Sequence, residues 1–194
     1  MPDRHATVGE ATAEAPVVLT ERLLLSALTE ADAPALLAYR ADPDVGRYQS
    51  WEPRTPDDAR AFIARLHGVR FDTPGTWFQF GLRLRDGGAL VGDLGVHVPE
   101  DEPQQAEVGI TLAPAHQGSG FATEALTAML GHLFGNAGKH RVFASVDPRN
   151  TASVALMKRV GMRQEAHLRE SMYLKDEWVD DLIFATLGSE WRSR

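Results

Sequence analysis

Residues 117–130, QGSGFATEALTAML, join a glycine-rich turn to an apolar run with helical spacing. Gly118 and Gly120 allow positive φ and let a ligand approach the backbone closely. The first N–H groups of the helix that follows have no intrahelical acceptor. Its dipole also favours an anion, so a phosphate or pyrophosphate fits there. The plainer alternative is a turn that only reverses the chain. Three familiar motifs fail on the letters. A nucleotide P-loop requires Lys then Ser or Thr after its last glycine, and here Phe121 follows Gly120. A dinucleotide fingerprint requires a third glycine, and Thr123 stands in its place. A nucleophile elbow requires Gly-x-Ser-x-Gly, and Ser119 is flanked at those positions by Gln117 and Phe121. The chain has no cysteine, which excludes disulfides, a thiol nucleophile and thiolate metal sites. Its seven histidines lack metal-ligand spacing such as HExxH.

The elements that must position this loop are legible on either side. Val17 to Leu28 predicts a strand around Leu23, Leu24 and Leu25. Thr29 with Asp32 three residues on predicts the start of a helix through Leu36, Leu37 and Tyr39. Thr55 as N-cap, Pro56 at N1 and Asp57 and Asp58 in the first turn predict a second helix, with Ala59, Phe62, Ile63 and Leu66 as its stripe. Trp77 to Arg85 alternates as a half-buried strand. Asp86-Gly87-Gly88 is a hairpin turn, with Ala89 to Val98 as the return strand and Ala106 to Leu112 as the next. Connections this short make the meander antiparallel. After the loop come a helix that Gly135-Asn136 can end and a strand over Arg141 to Val146. A short helix capped by Asn150 and ending at Gly161 follows, then two strands near 162–174 and 178–187. No repeat or linker interrupts 17–190, so one domain is expected over residues 16–194. The Ala/Thr/Glu-rich residues 1–15 form a flexible tail in this reading.

The 194 residues carry a net charge of -7, which argues against general binding to nucleic acid backbone. No segment is long and apolar enough to span a membrane, and the start lacks the apolar region of a secretory signal. The expected location is the cytoplasm.

Residues 110–126, ITLAPAHQGSGFATEAL, resemble the acetyl-CoA-binding motif of the GNAT superfamily of N-acetyltransferases, Gln/Arg-x-x-Gly-x-Gly/Ala, as Gln117-x-x-Gly120-x-Ala122. DPRNTASVALMKRVGM, Asp147 to Met162, is similar to the superfamily's later motif, an Asn and Ser opening a helix that ends in Gly. LTERLLLSALTEADAPAL at the start and LRESMYLKDEWVDDLIFATL at the end resemble the RimJ/RimL-like branch. The resemblance covers nearly all of 17–191. It implies an α+β fold: a mixed, mostly antiparallel, splayed central sheet flanked by helices on both faces. It also implies an acetyl-CoA-dependent N-acetyltransferase without a metal, with an amine acceptor and a homodimer as its other expected partner.

By that resemblance, pantetheine lies in the splay and pairs with backbone groups of Ile110, Thr111 and Leu112 like an added strand. Backbone N–H groups of Gln117, Gly118, Ser119, Gly120, Phe121 and Ala122, with the Thr123 hydroxyl, hold the pyrophosphate. Asn150 bonds the pantetheine arm, beside its plainer role as a helix cap. An amine attacks the thioester carbonyl and CoA thiolate leaves. The amine must first be neutral, and an alkyl amine needs more help than an α-amine. Glu107, on the same strand face as Gly109, is the candidate base; the alternatives are an ordinary exposed carboxylate, or Asp93, His97 or Glu170 in its place. Some RimL-like enzymes place a carboxylate base on the late strand, where Met172 stands here. Ser153 is the candidate donor to the leaving thiolate, with Tyr173 as the late tyrosine other GNAT enzymes use. Trp51, Trp77, Phe78, Tyr48 and His116 line an acceptor pocket or merely pack. A non-catalytic acyl-CoA-binding module is the alternative function, and a nicotinamide enzyme a remoter one.

Overall fold

The computed structural model describes residues 15–193. The tail expected over 1–15 lies outside the described residues, apart from Ala15, which packs half-buried against the core. Eight strands form one sheet: β1 (Val18–Leu19), β2 (Leu23–Ala27), β3 (Thr76–Leu84), β4 (Leu90–Val98), β5 (Gln105–Leu112), β6 (Arg141–Val146), β7 (Arg163–Leu174) and β8 (Glu177–Leu187). Their order is β1-β2-β3-β4-β5-β6-β8-β7. Every neighbouring pair is antiparallel except β5 and β6. Those two are joined by a crossover helix, the connection parallel strands require.

That parallel ladder is short. Gln105, Ala106 and Glu107 pair with Arg141, Val142 and Phe143, and the pairing stops there. Beyond Glu107, β5 stays bound to β4 through Leu112, while β6 stays bound to β8 through Val146. The two strands diverge, and β5 keeps a free backbone edge over residues 108–112.

The helices are α1 (Ala33–Arg40), α2 (Pro43–Gly46), α3 (Pro56–Leu66), α4 (Phe121–Gly135), α5 (Thr151–Arg159) and α6 (Gly188–Arg192). Strand alternation turns Phe78, Phe80, Leu82, Leu94, Val96 and Val108 to one face, against Leu126, Met129, Leu130 and Leu133 of α4. A second cluster, Leu28, Leu36, Tyr39, Ala59 and Ile63, holds α1 and α3 over the opposite face. That face is unusually polar: it carries Gln79, Asp93, His97, Glu107 and Thr111. α1 and α3 cover part of it, and the remainder faces a cavity.

Several boundaries differ from the sequence reading. The strand predicted over Val17 to Leu28 is two strands, because the chain reverses at Thr20–Arg22. Glu124 of α4 fixes that reversal by accepting from the Thr20 hydroxyl at 2.6 Å and from Arg22 N at 2.8 Å. The Thr29/Asp32 cap exists, with Thr29 N donating to Asp32 at 2.7 Å, but it opens a 3-10 turn ahead of α1. The short helices α2 and α6 carry too few residues for a periodic signal. The late strands occur as predicted, but β7 has bulges between Gln164 and Ala166 and between Leu168 and Met172. No helix among the described residues is long and apolar enough to cross a membrane.

Candidate active site

The divergence of β5 and β6 opens two connected spaces. A groove of about 700 Å³ runs from β5 to the glycine loop and the start of α5. It is lined by Ile110, Thr111 and Leu112, by Gln117, Gly118, Gly120, Ala122 and Thr123, and by Asn150 and Ser153. The candidate cofactor residues therefore converge, except Ser119 and Phe121. Ser119 turns its carbonyl to Arg22, which donates to it at 3.0 Å. Phe121 packs toward the core under the Arg22 guanidinium, 4.4 Å from its ring centroid.

The loop is held by its surroundings. Gly118 has φ +72 and Gly120 φ +84, and Gly120 is the N-cap of α4. With no capping side chain there, the first N–H groups of α4 are left for another acceptor. The Gln117 side chain donates to Leu112 O at 3.1 Å and ties the loop to the end of β5. Arg22 donates to Ser119 and, from Nε at 2.6 Å, to Glu124, so one arginine joins the β1–β2 turn, the loop and the first turn of α4. Arg159 reaches the Thr123 hydroxyl at 3.4 Å and forms no ion pair among the described residues. It leaves a free positive charge on the groove wall.

The second space, a cavity of about 460 Å³, lies where β5 leaves β6 on the polar face. Glu107, Gly109, Ser145, Asp181, Trp51 and Trp77 contribute to its walls. Tyr48, Gln49, Ile110, Thr111, Asn150 and Ser153 line both spaces and so mark their junction. The Asn150 side chain accepts from Ser153 N at 3.1 Å, so it caps α5 while facing that junction. The Ser153 side chain is half-buried and has no hydrogen bond of its own among the described residues. Tyr48 crosses the gap, its hydroxyl donating to Arg149 O at 3.2 Å.

Glu107 exposes 24% of its side chain, and its carboxylate lies 3.7 Å from His97 Nδ1. His97 in turn stacks on Trp77 with ring centroids 5.0 Å apart. Burial, and then the charge of Asp181, push the Glu107 carboxyl up. Burial pushes the His97 imidazole down, which keeps it neutral. A carboxylate with no strong cation beside it is poised to take a proton.

The other candidates separate clearly. Asp93 is fully buried in an ion pair with Arg40 and also accepts from Gln79 Nε2 at 2.8 Å, so it has no access to the cavity. Burial works against the Arg40 charge, but Asp93 outweighs it and holds the guanidinium protonated. Arg40 also donates to Gln49 at 3.0 Å, so this buried pair fixes a side chain at the junction. Glu170 sits in the β7 bulge at φ 45 and lies outside both spaces. Tyr173 is 60% exposed, packs on Trp178 and also lies outside both spaces. Trp51, Trp77 and Tyr48 line the cavity, Phe78 is core, and His116 packs on Phe121.

Sequence reasoning missed Asp181, Arg22, Arg159, Gln49 and the Arg40–Asp93 pair. All but the Gln49–Arg40 contact act across a long sequence separation, and no spacing rule reports any of them. Asp181 alone left a faint signal, as an acidic residue inside a strand pattern. Among the described residues no group of three or more His, Cys, Asp or Glu is arranged to hold a metal ion.

Comparison with known proteins agrees with this geometry. The chain is 30% identical over 174 residues to the uncharacterized N-acetyltransferase YnaD of Bacillus subtilis (strain 168), covering 90% of this chain and 98% of YnaD. It is 27% identical over 180 residues to the [ribosomal protein uS5]-alanine N-acetyltransferase of Escherichia coli (strain K12), covering 89% and 91%. The crystal structure of a GNAT-family acetyltransferase from Bacillus anthracis superposes with a TM-score of 0.82 at 29% identity, covering 90% of this chain and 100% of that one. Residues 22–163 match the Acetyltransferase (GNAT) domain. With the splayed sheet and the glycine loop at its mouth, these matches establish that the chain belongs to the GNAT acetyltransferase family.

Proposed function

We propose that this protein transfers the acetyl group of acetyl-CoA to a primary amine while both substrates are bound. The acceptor is a protein N-terminus or a small-molecule amine. The observation that carries the reading is the placement of the splay. A free strand edge and a glycine loop lie on one side of it, and a half-buried carboxylate lies on the other.

The groove suits the coenzyme on four counts. The unpaired edge of β5 over 108–112 offers amide and carbonyl groups to a ligand that carries amides of its own. The N–H groups at the start of α4 suit a pyrophosphate. Arg159 adds a positive charge that no acidic side chain pairs with among the described residues. Gly118 leaves open space where a Cβ would stand. The acetyl group then reaches the junction between groove and cavity, where Ser153 and Asn150 sit.

Glu107 takes a proton from the acceptor ammonium and so supplies the neutral amine that attack requires. Its raised affinity for a proton suits that task near neutral pH, since a weakly basic carboxylate would leave the amine charged. Ser153 donates a hydrogen bond to the departing sulfur. A serine hydroxyl is a weak acid, so its contribution is modest. The Arg40–Asp93 pair orients Gln49 without touching the reacting atoms. An acceptor amine enters past Trp51 and Trp77, which line the cavity.

The test is incubation with acetyl-CoA and a panel of alkyl amines, N-terminal peptides and aminoglycosides, following free thiol. Thiol release that depends on an amine is the expected result. Failure both to bind acetyl-CoA and to release thiol with any amine overturns the proposal.

A further inference from the structure

The acceptor cavity carries more negative charge than its own cations cancel. Arg40 faces it but is spent on Asp93. Asp147 is paired with Arg149 at 2.6 Å, and Asp180 is held toward β7, where it contacts the His167 imidazole at 2.6 Å and accepts from Glu170 N at 2.9 Å. That leaves Glu107 and Asp181, neither of which pairs with Lys or Arg among the described residues. Among the described residues the only basic neighbour of Glu107 is His97, whose imidazole burial pushes toward the neutral form. Asp181 is 7% exposed, and its carboxylate accepts from the Ser145 hydroxyl at 2.8 Å.

Topology places the two acids on one wall. Glu107 pairs with Phe143 and Phe143 with Ala185. Alternation along β8 then turns Ala185, Ile183 and Asp181 to the same face as Glu107. The Asp181 carboxylate lies over β6 at Ser145, one strand away from Glu107 and two residues further along. Those offsets separate the two carboxylates by roughly 5–10 Å. Two unpaired carboxylates this close in a half-buried cavity repel each other, and a single ammonium between them answers only one.

We infer that the acceptor carries a second cationic centre, which Asp181 binds while Glu107 receives the amine to be acetylated. Asp181 is thus a specificity-determining residue for dicationic amines. This rests on the acetyl-transfer reading above, and its test keeps the two apart.

Two matched pairs of acceptors are compared on the wild-type protein. One is 1,4-diaminobutane against 1-aminopentane, in which a methyl replaces the second ammonium. The other is an Ala-Lys amide against an Ala-norleucine amide. For each, thiol release gives KM, and calorimetry in the presence of CoA gives Kd without turnover. The dication is expected to be favoured about tenfold in at least one pair, the scale of a charge-assisted hydrogen bond. The preference should shrink as salt is raised. The pair that shows it identifies the source, a free diamine or a basic N-terminus. Asp181→Asn is expected to bring the preference to near parity, and Asp181→Glu to restore part of it.

If the Asn variant does not fold, the wild-type comparison and the Glu variant still decide. Turnover without preference in either pair overturns the inference and leaves acetyl transfer standing. Preference in binding without turnover does the reverse. A preference that survives Asp181→Asn unchanged in a folded protein removes Asp181 from the role.

Discussion

Replacing Glu107 by Gln keeps the shape of the cavity wall and removes its base. At pH 7.5 an alkyl amine with a pKa of about 10.4 is only about 0.1% neutral, whereas an α-amine near 8 is about a quarter neutral. A base inside the complex therefore matters most to the alkyl amine. General bases contribute about 10²- to 10⁴-fold. The lower end applies here, because His97 lies 3.7 Å away and Asp181 still lines the cavity. The expected loss in kcat/KM for an alkyl amine is about 100-fold, or about 2.7 kcal/mol. For an α-amine it is about tenfold, since about a quarter of it is already neutral. Thiol release by wild type and Glu107→Gln, measured with both amines across a pH series, reads this directly. The gap between the enzymes should close above about pH 9.5, where the alkyl amine begins to supply its own neutral form. Affinity for CoA should hold, because Glu107 does not line the groove. Equal losses for both amines at every pH, or losses within about threefold for both, refute Glu107 as the base.

Three further outcomes follow from the same geometry. Gly120→Glu should abolish CoA binding by calorimetry, since it puts a negative side chain at the start of α4. Gly120→Ala separates the strain of a left-handed residue, about 1–2 kcal/mol, from that charge effect and should retain measurable affinity. Asp93→Asn should cost about 3–5 kcal/mol by leaving Arg40 charged and buried, which lowers Tm by about 10 °C in a thermal melt. The double change Arg40→Met with Asp93→Leu should recover most of that loss. Finally, burial raises the folded-state pKa of both Glu107 and Asp181. Each then contributes stability that is complete below the ordinary carboxylate range, about pH 4, and lost as pH rises through its raised value. Glu107→Gln and Asp181→Asn should therefore match wild type near that pH and melt higher than wild type at neutral pH.

The loop and its helix were legible because their signals are local. Glycines at 118 and 120, apolar spacing from Ala122 onward and Asn150 ahead of a short helix each act within a turn or two. Glu107 was legible as a strand residue, and its pairing with His97 and the end of the β5–β6 ladder confirm its position on that strand. What made its carboxyl unusual was not legible. Asp181 lies 74 positions further along the chain, and the burial comes from elements packed around it. Ser119 and Phe121 were grouped with the phosphate-facing residues because they sit inside the motif. Arg22, almost a hundred positions upstream, holds the Ser119 carbonyl and covers the Phe121 ring, so neither residue lines the groove. The split of the first strand has the same origin, since Glu124 reaches back to Thr20 and Arg22. Period and propensity cannot report such clamps, because each becomes a contact only once the sheet has formed.

The splay itself has an identifiable cause and a measurable consequence. Helix α5 acts as a wedge: Met157 faces the cavity, Leu156 faces the groove, and both are buried in the core. Closing β5 onto β6 would require those side chains to leave it. The open state instead leaves every second amide of residues 108–112 directed away from β4 without a strand partner, in the middle of a sheet. Unpaired strand edges are costly or exposed to chance pairing, and natural sheets usually cover them. A ligand bearing amides can complete this one. CoA should therefore stabilise the protein by about 2.7 kcal/mol at a hundredfold excess over its Kd, raising Tm by about 5–10 °C. Amide hydrogen exchange discriminates further. Amides of 108–112 that point toward β4 should be slow with or without CoA, and the alternate set, which points into the splay, should slow only with it. Protection spread evenly along β5, or confined to the glycine loop, would show that the coenzyme does not pair with the strand edge.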